Sequence, residues 1–456
     1  GQPGGIGLSA FRFNIGGGTA EQGDSSGIKD AARRVECFLS PGGTYDWNKQ
    51  KGYTWLLQQA KHYGVENLIA FVNSPPVQFT KNGLGYKTEK DYTSNLREDK
   101  YTAYADFLAA VMTHFDKIHL HFNYISPVNE PQWDWSNKWG EASQEGSAWT
   151  NTEIFNAVKA VSTALHTNKL STRILVTEAG TLEHLYGAGG KAAAQVQAFF
   201  NPASKLYIGG LPNTTPYVEG HGYFTETSDA RMTEIRNRLK DTLAAYGRDL
   251  EFWQSEYCML GDGFKDGAKG SRSAMDCALF LAKVINTDFT EGNATAWHYW
   301  NAFEPGRADS NTRYYLVALN PHRATDTARL YTITKNVWAL GHYSLFVRPG
   351  MYRVSTSRSD GLSNIAAQQQ VMISAFTNLQ TGSIVVNMIN YTEHDAQAGI
   401  MLEGTDSPFA LKNSYVTTAG EGDNLKPHHV KSQPEKGTFS VVLPARSINT
   451  FIFKRH

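Results

Sequence analysis

The sequence predicts an α/β fold, with parallel strands inside and helices outside, over roughly its first 300 residues and an antiparallel β-sandwich after residue 340. Three observations carry this. Short apolar runs rich in Ile, Val, Phe and Tyr alternate with stretches of helical periodicity, the grammar of strand–helix–strand units. After residue 340 the runs become short, alternating and closely spaced, with Gly, Asn and Ser between them and no convincing helix. The chain has 456 residues, enough for a large barrel-sized unit and a smaller second one.

In the first part, strands are expected at 6–15, 67–73, 121–128, 173–177, 217–223, 250–256 and 294–300, each ending in a polar or Gly/Pro cluster. Between them, Tyr101, Tyr104, Ala105, Leu108, Val111, Met112 and Phe115 recur at spacings of three and four and predict a helix. A second helix is expected from an N-cap at Asn151, carrying Ile154, Phe155, Val158, Val161 and Leu165. A third runs from Ser228 through Met232, Ile235, Leu239 and Leu243 to a stop at Gly247. In the last part, strands are expected at 343–347, 351–356, 371–377, 383–390, 399–402, 414–418, 439–443 and 447–454, with a long polar loop within 413–436. There is no internal repeat and no low-complexity tract.

Composition narrows the function. The 43 basic and 43 acidic side chains leave a formal net charge of zero, which disfavours a binder of nucleic acid. Aromatic residues make up 12% of the chain and charged ones only 19%, a balance suited to neutral, ring-shaped ligands such as sugars. Cys37, Cys258 and Cys277 are too few for a disulfide scaffold, and their odd number leaves at least one thiol free or paired between chains. No apolar run is long enough to span a membrane, and no secretory signal opens the chain.

Two glutamates carry the chemistry. Glu130 follows the run 121–128, and Glu256 ends the run 250–256. Both stand at the C-terminal ends of expected parallel strands, where a barrel builds its active site. A carboxylic acid that gives a proton to a leaving oxygen, and a carboxylate that attacks the anomeric carbon or activates water, are the minimum machinery for glycoside hydrolysis. Asn129, a neutral amide before Glu130, can hold a sugar hydroxyl without disturbing the acid's titration. The plainer alternative is that both acids cap helices or form salt bridges.

The motifs Ser126-Pro127-Val128-Asn129-Glu130-Pro131 and Trp253-Gln254-Ser255-Glu256-Tyr257 resemble the acid/base and nucleophile motifs of glycoside hydrolase family 30. The resemblance extends to Gly5-Ile6-Gly7-Leu8-Ser9-Ala10-Phe11-Arg12-Phe13-Asn14-Ile15-Gly16 and to Asn73-Ser74-Pro75-Pro76. It continues in 340–350, the segment entering the family's side β-domain, and in 443–451, its last strand. Each motif is short; their order and spacing across nearly the whole chain make the resemblance specific. It implies a (β/α)8 TIM barrel over 1–340 and a C-terminal antiparallel β-sandwich side domain over 341–456. It also implies a retaining double displacement, with Glu130 as acid/base, Glu256 as nucleophile and their carboxyl groups about 5–5.5 Å apart. By the same resemblance Arg12 lies beneath the nucleophile and keeps it ionised, and Asn129 binds the sugar 2-hydroxyl. Tyr223, in His221-Gly222-Tyr223, hydrogen-bonds Glu256. Trp300, in Trp297-His298-Tyr299-Trp300, is the platform under the reacting sugar; strand alternation turns only one of Trp297 and Trp300 inward. No cofactor and no metal are implied.

The stretches 14–23, 34–39 and 71–76 most resemble the endo-β-1,6-galactanase-like branch. The expected substrate is therefore β-1,6-galactan of the arabinogalactan type, and the expected location is secreted or periplasmic. Trp133, Trp135 and Trp139 follow the acid/base closely; Trp133 is the candidate to stack on sugars beyond the cleavage point, and packing of the loop is the alternative. An exo-acting β-glycosidase of the same family and a non-catalytic carbohydrate-binding protein are the competing readings. In the family the acid/base follows the fourth strand, whereas here Glu130 follows the third of seven. A first barrel strand and its helix, about 40–60 residues with a side-domain strand, are thus expected to precede the sequence.

Other signals are set aside. Gly5-Ile6-Gly7-Leu8-Ser9-Ala10 fits a loose dinucleotide pattern but runs into a strand instead of opening a helix. His119 and His121 lie two apart without a third ligand nearby and are expected to be structural. Cys258 has no His–Cys arrangement to activate it.

Overall fold

The computed structural model describes residues 5–247, 249–261, 273–305, 313–319, 330–404, 408–430, 434–435 and 437–455. Its largest sheet has seven strands in the order β1 to β7: Ala10–Asn14, Asn67–Phe71, Tyr124–Ser126, Arg173–Ala179, Thr214–His221, Glu251–Tyr257 and Ala294–Tyr299. All seven fall within or across the expected runs. The pairs from β1 to β5 are parallel, and each strand neighbours its successor in sequence. Helices fill the intervals, as parallel pairing requires: Lys51–His62, Tyr101–Lys117, Asn151–Thr167, Glu183–Tyr186, Gln195–Phe200, Asp229–Tyr246 and Ala274–Thr290.

Alternation along the strands separates a helix-facing side from a site-facing side. Phe13 of β1 is fully buried against Phe115 and Phe122, with ring centroids 5.5 and 5.6 Å away. Its neighbour Arg12 turns the other way. The helix Asn151–Thr167 starts one residue earlier than the capping signal suggests. Its N-cap is Thr150, whose hydroxyl accepts from the Glu153 backbone N–H while the Glu153 carboxylate accepts from the Thr150 N–H.

The chain divides into two compact units, one of Ala10–Gly222 with Asn237–Ser255, the other of Gly1–Ser9, Tyr223–Arg236 and Glu256–His456. Each is described by itself.

In the second unit, β8 (Phe303–Pro305), β9 (Val317–Leu319) and β10 (Tyr331–Ile333) form a small sheet. Six further strands are β11 (Tyr352–Val354), β12 (Val371–Thr377), β13 (Ile384–Asn390), β15 (Phe409–Thr417), β16 (Lys426–Pro427) and β18 (Ser447–Arg455), ordered β11-β12-β13-β18-β15-β16 and antiparallel throughout. A ribbon of β14 (Ala396–Met401) and β17 (Thr438–Leu443) covers one face. There Val386, Met388, Phe451 and Phe453 pack against Ile400, Phe439, Val441 and Leu443. On the other face Ile389 and Ile448 pack with the helix Ala274–Thr290.

One expected strand is overturned. Residues 343–347 do not form one, because Tyr343 lies in the helix Lys335–Ser344. Within that helix Asn336, Ala339, Leu340 and Tyr343 are buried at spacings of three and four, a helical stripe that the local alternation of the last few residues hid. His342 of the same helix is buried between Thr450 and Thr417, its ring nitrogens 2.7 and 2.9 Å from their hydroxyls. A single-turn helix at Asn364–Ala367 was also not expected. Among the described residues no helix is long and apolar enough to cross a membrane.

Candidate active site

In the first unit, side chains from β1, β3, β4, β5 and β6 converge above an aromatic floor. Tyr217 of β5 stacks on Trp253 of β6 at 4.6 Å, and Tyr124 of β3 meets the same indole edge-on at 5.2 Å. One step along each strand, Ser126 Oγ donates to Glu219 Oε2 at 3.1 Å. One step further stand His221 and the residues after β3.

Arg12 lies over the Phe71 ring, 3.7 Å from its centroid. Its Nη2 donates to Glu178 Oε1 at 2.8 Å and to Asn129 Oδ1 at 3.1 Å. The Asn129 amide nitrogen donates in turn to Asn73 Oδ1 at 2.9 Å. The amide of Asn129 is thus fixed from both ends. Glu130 follows in the left-handed backbone region, with φ 44°, and its N–H donates to the Glu178 carbonyl at 2.8 Å. Glu178 is itself left-handed, with φ 53°, where the β4–β5 register shifts between Val176 and Ala179. Such irregularities re-aim a side chain at the end of a strand.

The carboxyl groups of Glu130 and Glu178 are joined through an imidazole. His221 Nδ1 lies 3.0 Å from Glu130 Oε1, and Nε2 lies 3.1 Å from Glu178 Oε2. Ser255 Oγ donates to the same Glu178 oxygen at 2.7 Å. His221 and Glu178 have no exposed surface. Burial alone pushes the Glu178 carboxyl up, but the Arg12 guanidinium, with His221 and Ser255, outweighs it and holds the group well below the usual carboxylate range. Glu219 goes the other way: burial and the neighbouring Glu178 anion lift it well above its ordinary value. The two buried acids are thus driven in opposite directions, Glu178 towards the anion and Glu219 towards the neutral acid.

The loop after Glu130 holds the three tryptophans. Trp135 donates its indole N–H to the Glu130 carbonyl at 3.0 Å and packs the loop, while Trp139 is 64% exposed. The half-buried Trp133 lies against Gly180, where a Cβ would come within 2.4 Å of its indole nitrogen. Only a bare backbone at 180 lets the ring rest there.

In the second unit, Glu256 stands near the end of β6 and is 7% exposed. Tyr223, just past β5, donates its hydroxyl to Glu256 Oε1 at 2.9 Å. Trp297 of β7 gives its indole N–H to Asp288 of the helix Ala274–Thr290 at 2.8 Å, so it faces the helices. Trp300, one residue past β7, is half-buried, and its N–H donates to the Tyr257 carbonyl at 2.9 Å.

The structure therefore brings Arg12, Asn129, Glu130 and His221 together in one unit, and Tyr223 and Glu256 in the other. Glu178, Glu219 and Ser255 were missed by sequence reasoning. The signal for Glu178 is the one that found Glu130 and Glu256, an acid near the C-terminal end of an apolar strand run, and in Val176-Thr177-Glu178-Ala179 it was present and unread. For Glu219 it was not, since the expected run 217–223 puts that residue near its start.

Comparison with known proteins bears on the chemistry. O-Glycosyl hydrolase family 30 matches residues 1–312. The chain is 23% identical over 460 residues to the endo-β-1,6-galactanase of Hypocrea rufa, covering 98% of this chain and 83% of that protein. A conserved exported protein from Bacteroides fragilis superimposes with a TM-score of 0.86 at 30% identity, over 98% of this chain and 88% of that one. The catalytic domain of family-30 xylanase C from Talaromyces cellulolyticus gives a TM-score of 0.64 at 21% identity, over 99% and 89%, a likeness of fold. The fold is a TIM barrel with an antiparallel side domain. The family match covers well over half of the sequence, strands and loops that hold Glu130 and Glu256 included, so the chain belongs to glycoside hydrolase family 30 and is a glycoside hydrolase.

Proposed function

We propose that the enzyme cleaves β-1,6-linked galactan within the chain, with net retention at the anomeric carbon. Glu256 attacks that carbon while Glu130 protonates the departing oxygen. Glu130 then takes a proton from the water that releases the covalently held sugar. Asn129 holds the 2-hydroxyl with the amide hydrogen that Asn73 does not use, Trp300 lies under the reacting ring, and Trp133 stacks on the sugar beyond the cleavage point. Arg12, expected beneath the nucleophile, donates to Glu178 and Asn129 and with His221 holds the acid/base side of the site.

The observation that carries this reading is the unequal partnering of the two glutamates. Glu256 accepts from a phenol hydroxyl, which suits a carboxylate that must stay ionised. Glu130 meets an imidazole, which can take or support a proton. The choice of galactan rests on the Hypocrea rufa relative, which aligns over nearly the whole chain. The substrate class and the exported Bacteroides fragilis relative support a location outside the cytoplasm. A boundary near residue 340 between the catalytic barrel and the β-sandwich fits the antiparallel pairing of the described strands after it.

The test is product analysis on debranched β-1,6-galactan, with xylan and β-1,6-glucan alongside. Early release of mixed oligosaccharides from galactan is expected. Glu256→Gln and Glu130→Gln should each lower the rate by about a thousandfold or more. Release from xylan alone would sink the galactan assignment, and full activity in either variant would sink the roles.

A further inference from the structure

We propose that Glu178 is the positioning residue of the acid/base: it accepts the Nε2 proton of His221, leaves Nδ1 as an acceptor, and so keeps the proton of the His221–Glu130 hydrogen bond on Glu130. This rests on Glu130 being the acid.

The donors and acceptors around Glu178 decide where the protons sit. Glu178 Oε1 receives Arg12, which carries only donors and is always cationic. Glu178 Oε2 receives the Ser255 hydroxyl and faces His221 Nε2. A carboxyl group so surrounded is an anion, in keeping with its lowered titration, and an anion can only accept. The hydrogen of the 3.1 Å contact therefore sits on Nε2. We take His221 as neutral, with this as its one N–H, so that Nδ1 offers a lone pair to Glu130 Oε1 at 3.0 Å. Only a protonated carboxyl completes that hydrogen bond. Glu219, pushed towards its neutral form by burial and by the Glu178 anion, competes less for Arg12. The backbone repeats the link, since the Glu130 N–H ends on the Glu178 carbonyl.

The protons balance through the cycle. In the first step the proton leaves Glu130 with the sugar or alcohol departing from the anomeric carbon. In the second it returns to Glu130 from water, whose oxygen takes the anomeric carbon from the nucleophile. The Nε2 proton of His221 stays where Glu178 holds it.

Two measurements test this on the full chain. The first is the ¹⁵N spectrum of histidine-labelled wild-type protein at neutral pH, with His221 assigned by the signal lost in His221→Gln. A protonated Nε2 with a bare Nδ1 is expected; an Nδ1–H tautomer or a doubly protonated ring overturns the proposal. The second compares two substrates in Glu178→Gln and Glu178→Asp. One is the natural glycan. The other is the 2,4-dinitrophenyl glycoside of the sugar that the wild type releases, whose leaving group needs no proton. Glu178→Gln should lose about a hundredfold on the glycan and stay within about threefold on the activated glycoside, the split expected when acid catalysis alone is impaired. Glu178→Asp, which keeps the charge, should recover part of the glycan rate. Equal losses on both substrates make Glu178 a merely structural residue and overturn the proposal. If Glu178→Gln fails to fold, the wild-type spectrum decides. A Glu130→Gln enzyme without the split sinks the acid/base reading itself, whatever the tautomer.

Discussion

Glu145 shows how much one buried residue can set. It has almost no exposed surface, and its carboxylate accepts from the N–H groups of Gly17 and Thr19 at 3.0 and 3.4 Å and from the Thr19 hydroxyl at 2.6 Å. Burial nevertheless dominates those hydrogen bonds and pushes its titration up to about 7. Folded protein then binds more protons than unfolded protein between the two values. The stabilising contribution of this group is complete below the unfolded pKa and is lost as the pH rises through about 7. Glu145→Gln keeps an oxygen for one of the two sets of donors, at Gly17 or at Thr19, and does not ionise. Between pH 5 and pH 8 the variant should therefore gain roughly 3 kcal/mol on the wild type. Urea midpoints at both pH values measure this; a difference that does not change with pH refutes it. At this scale the sequence was legible where an acid closed an expected strand or stood beside Pro131, as Glu256 and Glu130 do. At Glu178 it went unread, because the polar Thr177 marked the end of the run one residue too soon.

Among elements, the helices Asp229–Tyr246 and Ala274–Thr290 are tied by a buried ion pair. Arg236 Nε donates to Asp288 Oδ1 at 2.8 Å with neither side chain exposed, and Trp297 of β7 claims the other carboxylate oxygen. Thr225 accepts from Arg236 Nη1 at 2.6 Å. Asp288→Asn leaves the guanidinium in the interior without its carboxylate, which should cost about 3 kcal/mol. The loss should appear as a lower urea midpoint at an unchanged slope; a cost under about 1 kcal/mol would mean that the pair is not what holds these helices. Nothing in the spacing of Arg236 and Asp288 announced their meeting, since a pair 52 residues apart is made by the fold. The seven strands of the large sheet were legible because each is a compact run of apolar and β-branched residues. The three-residue strands β8 to β10 were not, being too short to show a period.

For the whole molecule, the change from a parallel to an antiparallel sheet could be read from the run spacing. The composition of the two compact units could not, because each gathers segments distant in sequence. Residues 223–236 belong with the C-terminal half, although they lie between segments of the other unit. The three cysteines fall on both sides of this division. Cys37 lies in one unit, Cys258 and Cys277 in the other, all three as buried free thiols. Burial pushes the Cys37 thiol up to about 12 and the Cys258 thiol well above its ordinary range. In the native state they are poor nucleophiles out of reach of reagents, so the chain carries its own clock for opening. In a disulfide reagent at neutral pH, modification should proceed no faster than the structure opens, and prompt labelling would refute the burial. With the modified sites separated by mass, one shared rate means that both units open in a single event. Two rates would mean that half of this hydrolase can come apart while the other half keeps its shape.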